Sequence, residues 1–424
     1  MSSFEPEGIK VVVQRSKLDD SATVRSEFPA MDERRAGGAL RALRATNQRL
    51  VEDVLRRRGG QTQAEIARAT GLSPASVSNL VRTLSEQGTA RSARVQRNGR
   101  RAVEVTLNPA SGLVAGIDFG NRHLNVAVAD LAHSVLADEQ VVLDAGHVAA
   151  DGIGRAACLI DSLITSSGRH RTELIGVAVG LPGPLVHDTG EIGSAAILPG
   201  WAGINIKAAF EDRLGVPVIV DNDANMGAIG EGRWGAGSGC DDFAYLKVST
   251  GIGAGLVLNG QLYRGAAGTA GEIGHTTIEE DGPVCRCGNR GCLEMLAGAP
   301  ALLDLLRRSH GSDLTVEDLL LLSRDGDVGS RRVIADAGRH IGVAVANLCN
   351  LLGLRRIVVG GELSLSGDVL LAPLIESMHR RAISVAAESI DVVLGTLGER
   401  SAVLGAVALA LQESSRFTAV PQGA

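Results

Sequence analysis

Aromatic residues and long hydrophobic runs are both scarce in this chain. Its 424 residues include only two Trp, two Tyr and six Phe, whereas proteins that bind single-stranded nucleic acid stack the bases on aromatic rings. Apolar stretches such as residues 117–129 are interrupted by polar residues before they reach the ~20 residues that a bilayer span requires. The N-terminus lacks the charged start and apolar core of a secretory leader, so we expect a cytoplasmic protein without a membrane helix.

Cysteine is sparse too, and its distribution is uneven. Three of the six cysteines, Cys285, Cys287 and Cys292, lie close together. In a cytoplasmic protein such a cluster indicates reactive thiols or a bound metal in preference to disulfides. With 45% hydrophobic and 21% charged residues the chain can form a real core. Since single cores stop growing at about 250–300 residues, the length suggests two or three domains.

Charge divides the chain into unequal parts. Residues 31–108 carry 15 basic and 7 acidic groups, whereas residues 109–424 carry 23 basic and 36 acidic groups. A basic module joined to a large acidic body is typical of a duplex-binding head on a separate sensing or catalytic body. A solvated, arginine-rich surface would give the same counts, so charge alone does not choose between them.

The basic part has the pattern of a helix-turn-helix. Apolar spacing predicts a helix from Thr46 to Arg58. Residues 62–65 (Thr-Gln-Ala-Glu) form a capping box that opens a second helix to Thr70. A three-residue turn containing Gly71 leads to Pro74, which is well placed at the first position of a third helix that ends before Gly88. The arrangement favours a helix-turn-helix head.

We interpret this head as a DNA-binding domain. The outer face of its last helix carries short polar groups suited to base edges and phosphates, and the Asn98-Gly99 turn between arginine-rich segments predicts a β-hairpin wing. The predicted DNA-binding residues are Ser73, Ser76, Ser78, Asn79, Arg82, Arg97, Arg100 and Arg101. A protein-interaction module with a basic hairpin is the alternative.

The acidic body alternates between strands and helices. Three strand-like segments lead into motifs that are candidates for a binding site, at Asp118, at the Leu181-Pro182-Gly183-Pro184 loop and at the polar residues 221–225. A second block of strands begins near Phe243 and contains Thr250-Gly251-Ile252-Gly253. This alternation predicts an α/β body of two lobes with a cleft, and places candidate binding residues outside the strand ends.

The cysteine cluster has a fourth partner in His275. One imidazole and three thiolates, from His275, Cys285, Cys287 and Cys292, make the composition of a structural tetrahedral zinc site. A redox pair of Cys285 and Cys287 is the alternative, but it leaves His275 and Cys292 without a role. We therefore predict structural zinc.

The order of motifs resembles the ROK family of repressors, open reading frames and sugar kinases over residues 40–412. The motifs are Asp118-x-Gly120, Leu181-Pro182-Gly183-Pro184, Asn222-Asp223-Ala224-Asn225, Thr250-Gly251-Ile252-Gly253, Gly271-Glu272-Ile273-Gly274-His275 and Cys285-x-Cys287-Gly288-x-x-Gly291-Cys292-x-Glu294. The resemblance is to the repressor branch, with members such as xylose and N-acetylglucosamine repressors. It implies an α/β fold in which a winged helix-turn-helix precedes a two-lobed actin-like body of sugar kinase and ribonuclease H type.

The expected domains follow from these motifs. They are a flexible tail (1–38), the winged head (39–108), a first lobe (109–231) to which a C-terminal helix (397–413) returns, a second lobe with the zinc site (232–396) and a short tail (414–424).

The resemblance also implies the ligand site. It places sugar binding at Asn222, Asp223, Glu272, His275 and Glu294, with Asp223 at the position where the kinases have their catalytic base. In the first phosphate hairpin, however, the kinases have Gly-Gly-Thr where this chain has Gly120-Asn121-Arg122, and Glu362 follows Gly361 where they keep a third Gly. We expect these side chains to hinder ATP, so no catalytic residue is predicted.

Three hypotheses follow. The favoured one is a repressor of carbohydrate uptake or catabolism genes that a sugar or sugar phosphate releases from double-stranded operator DNA. The others are an ATP-dependent sugar kinase that retains a DNA-binding head, and a constitutive architectural DNA-binding protein. We expect a homodimer or homotetramer, with residues 341–352 or 402–411 in the interface or in the lobe core. Trp201 is assigned either to the mouth of the sugar site or to the core.

Overall fold

A computed structural model describes residues 33–97, 100–144, 146–186, 189–193 and 198–418. The chain divides into two compact units, residues 1–46 and residues 47–424. In the first unit the described residues are helical, and most of the predicted N-terminal tail lies outside the described residues. No helix in the described part of the chain combines the length and the apolar character that a bilayer span needs.

The head has the predicted helix-turn-helix and wing. Its elements are α1 (Glu33–Arg58), β1 (Gln61–Thr62), α2 (Gln63–Thr70), α3 (Pro74–Glu86), β2 (Ala90–Arg97) and β3 (Arg100–Leu107). The capping box at α2 is present, because Thr62 accepts from the Glu65 backbone while Glu65 accepts from the Thr62 backbone. β3 pairs with both β2 and β1, which ties the wing to the start of α2. The turn at residues 98–99 lies outside the described residues.

Two sequence predictions at the ends of the chain were wrong. α1 begins at Glu33 and not near Thr46, because alanine, leucine and arginine, all good helix formers, outweigh the two glycines at residues 37 and 38. At the other end, the last helix, α13 (Ser401–Thr418), continues beyond the predicted end at residue 413.

The body contains two five-stranded sheets with the same topology. In the first the order is β6 (Val135–Val142), β5 (His123–Asp130), β4 (Leu113–Phe119), β7 (Leu174–Leu181) and β8 (Val218–Asn222). In the second it is β11 (Gln261–Tyr263), β10 (Ile252–Leu258), β9 (Phe243–Val248), β12 (Arg356–Gly360) and β13 (Asp391–Leu394). In each sheet the first three strands in this order are paired antiparallel, and the last two are added in parallel to the third. This repetition confirms the two-lobed α/β body.

The elements of the first lobe are β4 (Leu113–Phe119), β5 (His123–Asp130), β6 (Val135–Val142), α4 (Ala149–Ser166), β7 (Leu174–Leu181), α5 (Ile206–Leu214), β8 (Val218–Asn222) and α6 (Asp223–Trp234). The second sheet and its helices comprise β9 (Phe243–Val248), β10 (Ile252–Leu258), β11 (Gln261–Tyr263), α7 (Leu293–Ala297), α8 (Ala299–His310), α9 (Val316–Arg324), α10 (Val328–Leu352), β12 (Arg356–Gly360), α11 (Asp368–His379), α12 (Ser384–Ser389) and β13 (Asp391–Leu394). The last helix is α13 (Ser401–Thr418).

The central helices α6 and α13 pack against each other between the sheets. α13 lies on β4 and β7 of the first sheet, and α6 also contacts β9 and β10 of the second. Residues 402–411 are buried throughout, so this segment belongs to the core. Ile341 and Val345 of α10 are buried in the core of the second lobe. Trp201 is fully buried against Phe119 in the first lobe, which settles its role as a core residue.

Candidate functional site

The start of α6 places the first two predicted sugar residues. Parallel strands β7 and β8 end side by side, so the Pro182-Gly183 loop and Asn222 meet at one edge of the sheet. The Asn222 side chain caps α6 by accepting from the backbone of Ala224 and Asn225 at 2.8 and 3.2 Å, and it donates to the Gly183 carbonyl at 3.0 Å. Asp223, the first residue of α6, is therefore held at the cleft by the helix N-terminus.

Asp223 is bound by a lysine that the sequence analysis missed. Lys247 on β9 places its Nζ 2.6 Å from Oδ2 of Asp223, and both side chains are largely buried. Burial alone would lower the pKa of Lys247, but the charges of Asp223 and Asp118 raise it, so the amine is protonated at neutral pH. The pair joins a carboxylate of the first lobe to an ammonium of the second.

The remaining sugar residues approach from the second lobe. Burial raises the pKa of Glu272; His275 opposes that rise, and the carboxylates of Asp223 and Glu294 add to it. Nε2 of His275 lies 3.9 Å from a carboxylate oxygen of Glu272, so these two predicted residues lie side by side. Arg286 is a further residue that the sequence analysis missed, and it binds the Glu294 carboxylate at 2.9 Å. The sequence signal available for it was its place between two predicted metal ligands.

The His275 and cysteine cluster has the dimensions of a tetrahedral zinc site. The ligand atoms of His275, Cys285, Cys287 and Cys292 all lie within 4.8 Å of one another. The Sγ atoms of Cys287 and Cys292 are 3.6 Å apart, as are Cys285 Sγ and His275 Nδ1. Four ligands at Zn–S distances of about 2.3 Å have ligand–ligand separations of about 3.8 Å, so the residues present fit such an ion.

Glycine shapes the loop that carries the three thiols. Gly291 has φ +59°, and a Cβ at this position would overlap the Glu279 carbonyl oxygen. Only glycine combines this backbone conformation with so close an approach. This close approach brings Cys292 next to His275, so that Sγ of Cys292 lies 3.6 Å from the carbonyl oxygen of His275.

The hairpin between β4 and β5 is closed by its own histidine. His123 Nε2 lies 3.2 Å from Oδ2 of Asp118, and a Cβ on Gly120 would overlap the His123 ring. Burial opposes protonation of His123, but its hydrogen bond and ion pair with Asp118 raise its pKa. Asn121 and Arg122, which are expected to hinder ATP, are exposed at the turn of this hairpin.

A small cavity lies beside this hairpin. It measures about 80 Å³ and is lined in part by Asp118, His123, Lys247, Ser249 and Glu362. Ser249 donates to Glu362 at 3.2 Å, which holds the Glu362 carboxylate at this cavity. Pockets for larger organic ligands measure about 300–1,000 Å³, which makes this cavity small for a nucleotide.

The candidate DNA-binding face lies on α3 and the wing. Ser73, Ser78, Asn79 and Arg82 are exposed, and Arg82 donates to Asn79 at 3.1 Å. Two serines also have a structural role: Ser73 caps α3 by accepting from the backbone of Ser76, and their hydroxyls lie 2.9 Å apart.

The wing arginines have different environments. Arg101 is exposed, and Arg100 belongs to β3. Arg97 pairs with Glu65 at 2.5 Å and donates to the Gly60 carbonyl at 3.3 Å, so its guanidinium holds the wing against α2. Although burial acts in the opposite direction, hydrogen bonds from Thr62 and the charge of Arg97 lower the pKa of Glu65.

These features define a protein in which a helix-turn-helix head precedes a two-lobed actin-like body. The chain belongs to the ROK family, whose model matches residues 114–413. The IclR helix-turn-helix domain model matches residues 35–93.

Relatives with known names include both regulators and kinases. The chain is 29% identical to the xylose repressor of Bacillus subtilis over 86% of this chain and 94% of that protein. It is 31% identical to the DNA-binding transcriptional dual regulator NagC of Escherichia coli, over 88% and 94%. A glucokinase from Halalkalibacterium halodurans is 33% identical, but over 71% of this chain and 95% of the enzyme.

A similar solved structure covers the head as well as the body. It is a ROK family transcriptional regulator described as a homologue of the E. coli MLC protein, with a TM-score of 0.72 and 23% identity over 88% of this chain and 97% of that chain. At this identity the likeness bears on the fold alone.

Proposed function

We propose that this protein is a transcriptional repressor of carbohydrate genes, which binds operator DNA through α3 and the wing and is released by a sugar or sugar phosphate. One observation carries the proposal. A helix-turn-helix head with an exposed polar face is joined to a ROK-type body that carries all five of the predicted sugar residues. The repressor relatives, which match this chain along head and body, support it.

The proposed role of the sugar is to select one arrangement of the protein. A ligand shifts an equilibrium only by binding one state better than another. The five sugar residues come from both lobes, with Asn222 and Asp223 on the first and Glu272, His275 and Glu294 on the second. A sugar that contacts both sets favours the geometry in which they converge, and DNA affinity changes with it.

The proposal is tested by DNA binding at a fixed salt concentration of ~0.15 M, because protein–DNA affinity depends steeply on salt. The purified protein is titrated onto duplex DNA from upstream of its own gene and of neighbouring sugar genes. D-xylose, D-glucose, N-acetyl-D-glucosamine and their phosphates are added in turn. We expect selective binding that one of these sugars relieves. Binding no tighter than to random DNA, or indifference to every sugar, would reject the proposal.

We propose zinc as the ion of the cysteine cluster and a structural role for it. The set of three thiolates and one imidazole closes the tetrahedron and leaves no open position for chemistry. Bound zinc would fix the loop from residue 275 to residue 292 by linking its two ends. The fixed loop would in turn hold Glu272 and Glu294, which flank it, toward the cleft.

We further propose that the protein has no kinase activity. Asp223, at the base position, has Lys247 on its carboxylate, and His123 closes the hairpin where phosphates would need free backbone groups. The glucokinase relative favours sugar phosphorylation as the second candidate. Incubation with ATP, Mg²⁺ and the same sugars distinguishes the two. We expect no sugar phosphate to form. Steady formation of sugar phosphate would overturn the proposal that the protein has no kinase activity.

Pairing of two chains is the expected state on DNA. Helix-turn-helix proteins read two half-sites about one helical turn apart, and closed two-fold symmetry matches such a site. We propose a homodimer or homotetramer. Analytical ultracentrifugation at micromolar protein measures the mass directly, and a monomer that still binds operator DNA one chain per site would contradict the proposal.

A further inference from the structure

Helix α6 runs from the sugar site to the DNA-binding head. Its first residue is Asp223, and its last turn carries Arg233 and Trp234. Twelve residues at 1.5 Å each make a helix about 18 Å long. Since both ends have known neighbours, α6 is a continuous element between the two predicted ligand sites.

The packing of α6 leaves little room for bending. A Cβ on Gly227 would overlap the ring of Tyr245, and one on Gly230 would overlap the Ser401 carbonyl. Near its end, the fully buried Glu231 accepts hydrogen bonds from the backbone of Ala236, Thr396 and Leu397 at 2.7 to 3.2 Å. In a close-packed interior, displacement at one end is transmitted to the other and is not absorbed.

The last turn of α6 contacts the head at the end of α1. Arg233 donates to Nδ1 of His133 at 3.4 Å, and its Cζ lies 5.5 Å from the centroid of the Trp234 ring. Gly59, which follows α1, has φ +66°, and a Cβ there would overlap Arg233 and contact His133. The head and the body therefore touch where only a glycine fits.

This contact is an unusual one for a half-buried arginine. None of the ion pairs among the described residues includes Arg233. Burial and the nearby charge of Arg97 lower its pKa. Burial, aided by the charge of Arg233, lowers the pKa of His133 to about 3, so the imidazole is neutral and can accept. A cation held by a neutral ring, without a carboxylate, makes a weak contact that a small shift can break.

From Gly59 the path continues into the DNA-binding elements. The next residue, Gly60, accepts from Arg97 through its carbonyl at 3.3 Å, and Arg97 also pairs with Glu65 at the start of α2. The two residues after Gly60 form β1, which pairs with β3 of the wing. Gly59, which Arg233 contacts, is thus linked through Gly60 to the base of the wing and to α2.

We propose that α6 couples the sugar site to the DNA-binding head through the contact of Arg233 and His133 with Gly59. The inference rests on the proposed function and adds its route of regulation. Sugar binding at Asp223 shifts α6, Arg233 moves against Gly59, and the position of the wing and α2 changes. Both ligands bias one element, which is the physical requirement for coupling.

The test measures the coupling factor, defined as the sugar dissociation constant of the DNA-bound protein divided by that of the free protein, which exceeds one when sugar releases the protein from DNA. D-xylose, D-glucose and N-acetyl-D-glucosamine serve as probes on the full chain. We expect the coupling factor of Arg233→Ala to be about tenfold lower than that of the wild type, or close to one. Sugar binding to the free variant and its DNA binding without sugar should each change less than about threefold. Arg307→Ala, an exposed arginine on α8, is the matched control and should keep the wild-type factor.

A second variant guards against a merely structural effect. His133 has φ +70°, a conformation that asparagine tolerates, so His133→Asn removes the long-range contact with little backbone strain. It should also lower the coupling factor. Natively folded variants that keep the wild-type factor would overturn the inference alone. A wild type whose DNA affinity no sugar alters would overturn the proposed function together with it.

Discussion

At the scale of single residues, His275 links two sites. Its Nδ1 lies 3.6 Å from Cys285 Sγ, and its Nε2 lies 3.9 Å from a Glu272 carboxylate oxygen. A metal-binding histidine whose second nitrogen faces a carboxylate has its ring orientation fixed from both sides. The candidate metal cluster and the proposed sugar site therefore share one imidazole, and we expect a change in one to affect the other.

Replacing Cys287 by Ser tests this dependence. We expect Cys287→Ser to lose bound zinc, because a hydroxyl is a poor substitute for a thiolate ligand, and to lose the sugar response, because His275 is no longer fixed. Zinc content by mass spectrometry and sugar-induced release from DNA are measured together. Cys158→Ser, which changes an exposed cysteine outside the cluster, should retain both. A zinc-free Cys287→Ser protein with a normal sugar response would contradict the role proposed for the metal.

Asp223 is the second residue whose replacement separates the two ligands. Asp223→Asn removes the charge that Lys247 neutralises and a strong acceptor for a sugar hydroxyl. We expect sugar affinity to fall at least about tenfold, whereas DNA binding without sugar should stay within about threefold of the wild type. Calorimetric sugar titration and DNA binding are the measurements. The exposed Asp212→Asn on α5 should change neither, and a loss of DNA binding in Asp223→Asn would mean that the site lies elsewhere.

At the scale of elements, glycines allow α6 and α13 to approach closely. A Cβ on Gly405 of α13 would overlap the carbonyl of Met226 on α6. Small residues at such a crossing let the two backbones touch, and an added methyl group forces them apart. The pairing of these helices joins the first sheet to the second, so its geometry sets the position of Asp223.

Gly405→Ala should therefore destabilise the protein by about 2 kcal/mol or more, which is at the upper range for overpacking. Gly154→Ala on α4 is the matched control, since a Cβ there meets no atom within 4 Å. In that open helical position alanine should stabilise by about 0.5–1 kcal/mol. Urea denaturation measures both. Equal effects of the two substitutions would show that the close approach of α6 and α13 has no energetic weight.

Local patterns predicted the elements well, and long-range contacts escaped them. The capping box at Thr62 and Glu65 and Pro74 at the start of α3 are short-range signals, and both were confirmed. Lys247 was missed because nothing in a strand sequence shows that an ammonium will meet Asp223, which lies 24 residues earlier.

At the scale of the whole molecule, the head and the body share apolar contacts. The cluster that contains Val51, Leu55 and Ile66 of the head also contains Val114 of β4 and Val407 of α13. A continuous core of this kind opposes independent opening of the head, since undocking would expose apolar surface on both sides. The head is thus tightly enough joined for a small displacement of α6 to matter.

The two tryptophans make this testable, since one reports on each region. Trp201 is fully buried in the first lobe, whereas Trp234 lies at the contact between head and body, with its ring 6.3 Å from that of His133. In Trp201→Phe and in Trp234→Phe, we expect tryptophan emission and far-ultraviolet circular dichroism to follow one urea transition, as cooperative unfolding requires. If Trp234 emission changed at lower urea than the circular dichroism of the same variant, the head would open first, and a shared core could not be what holds it.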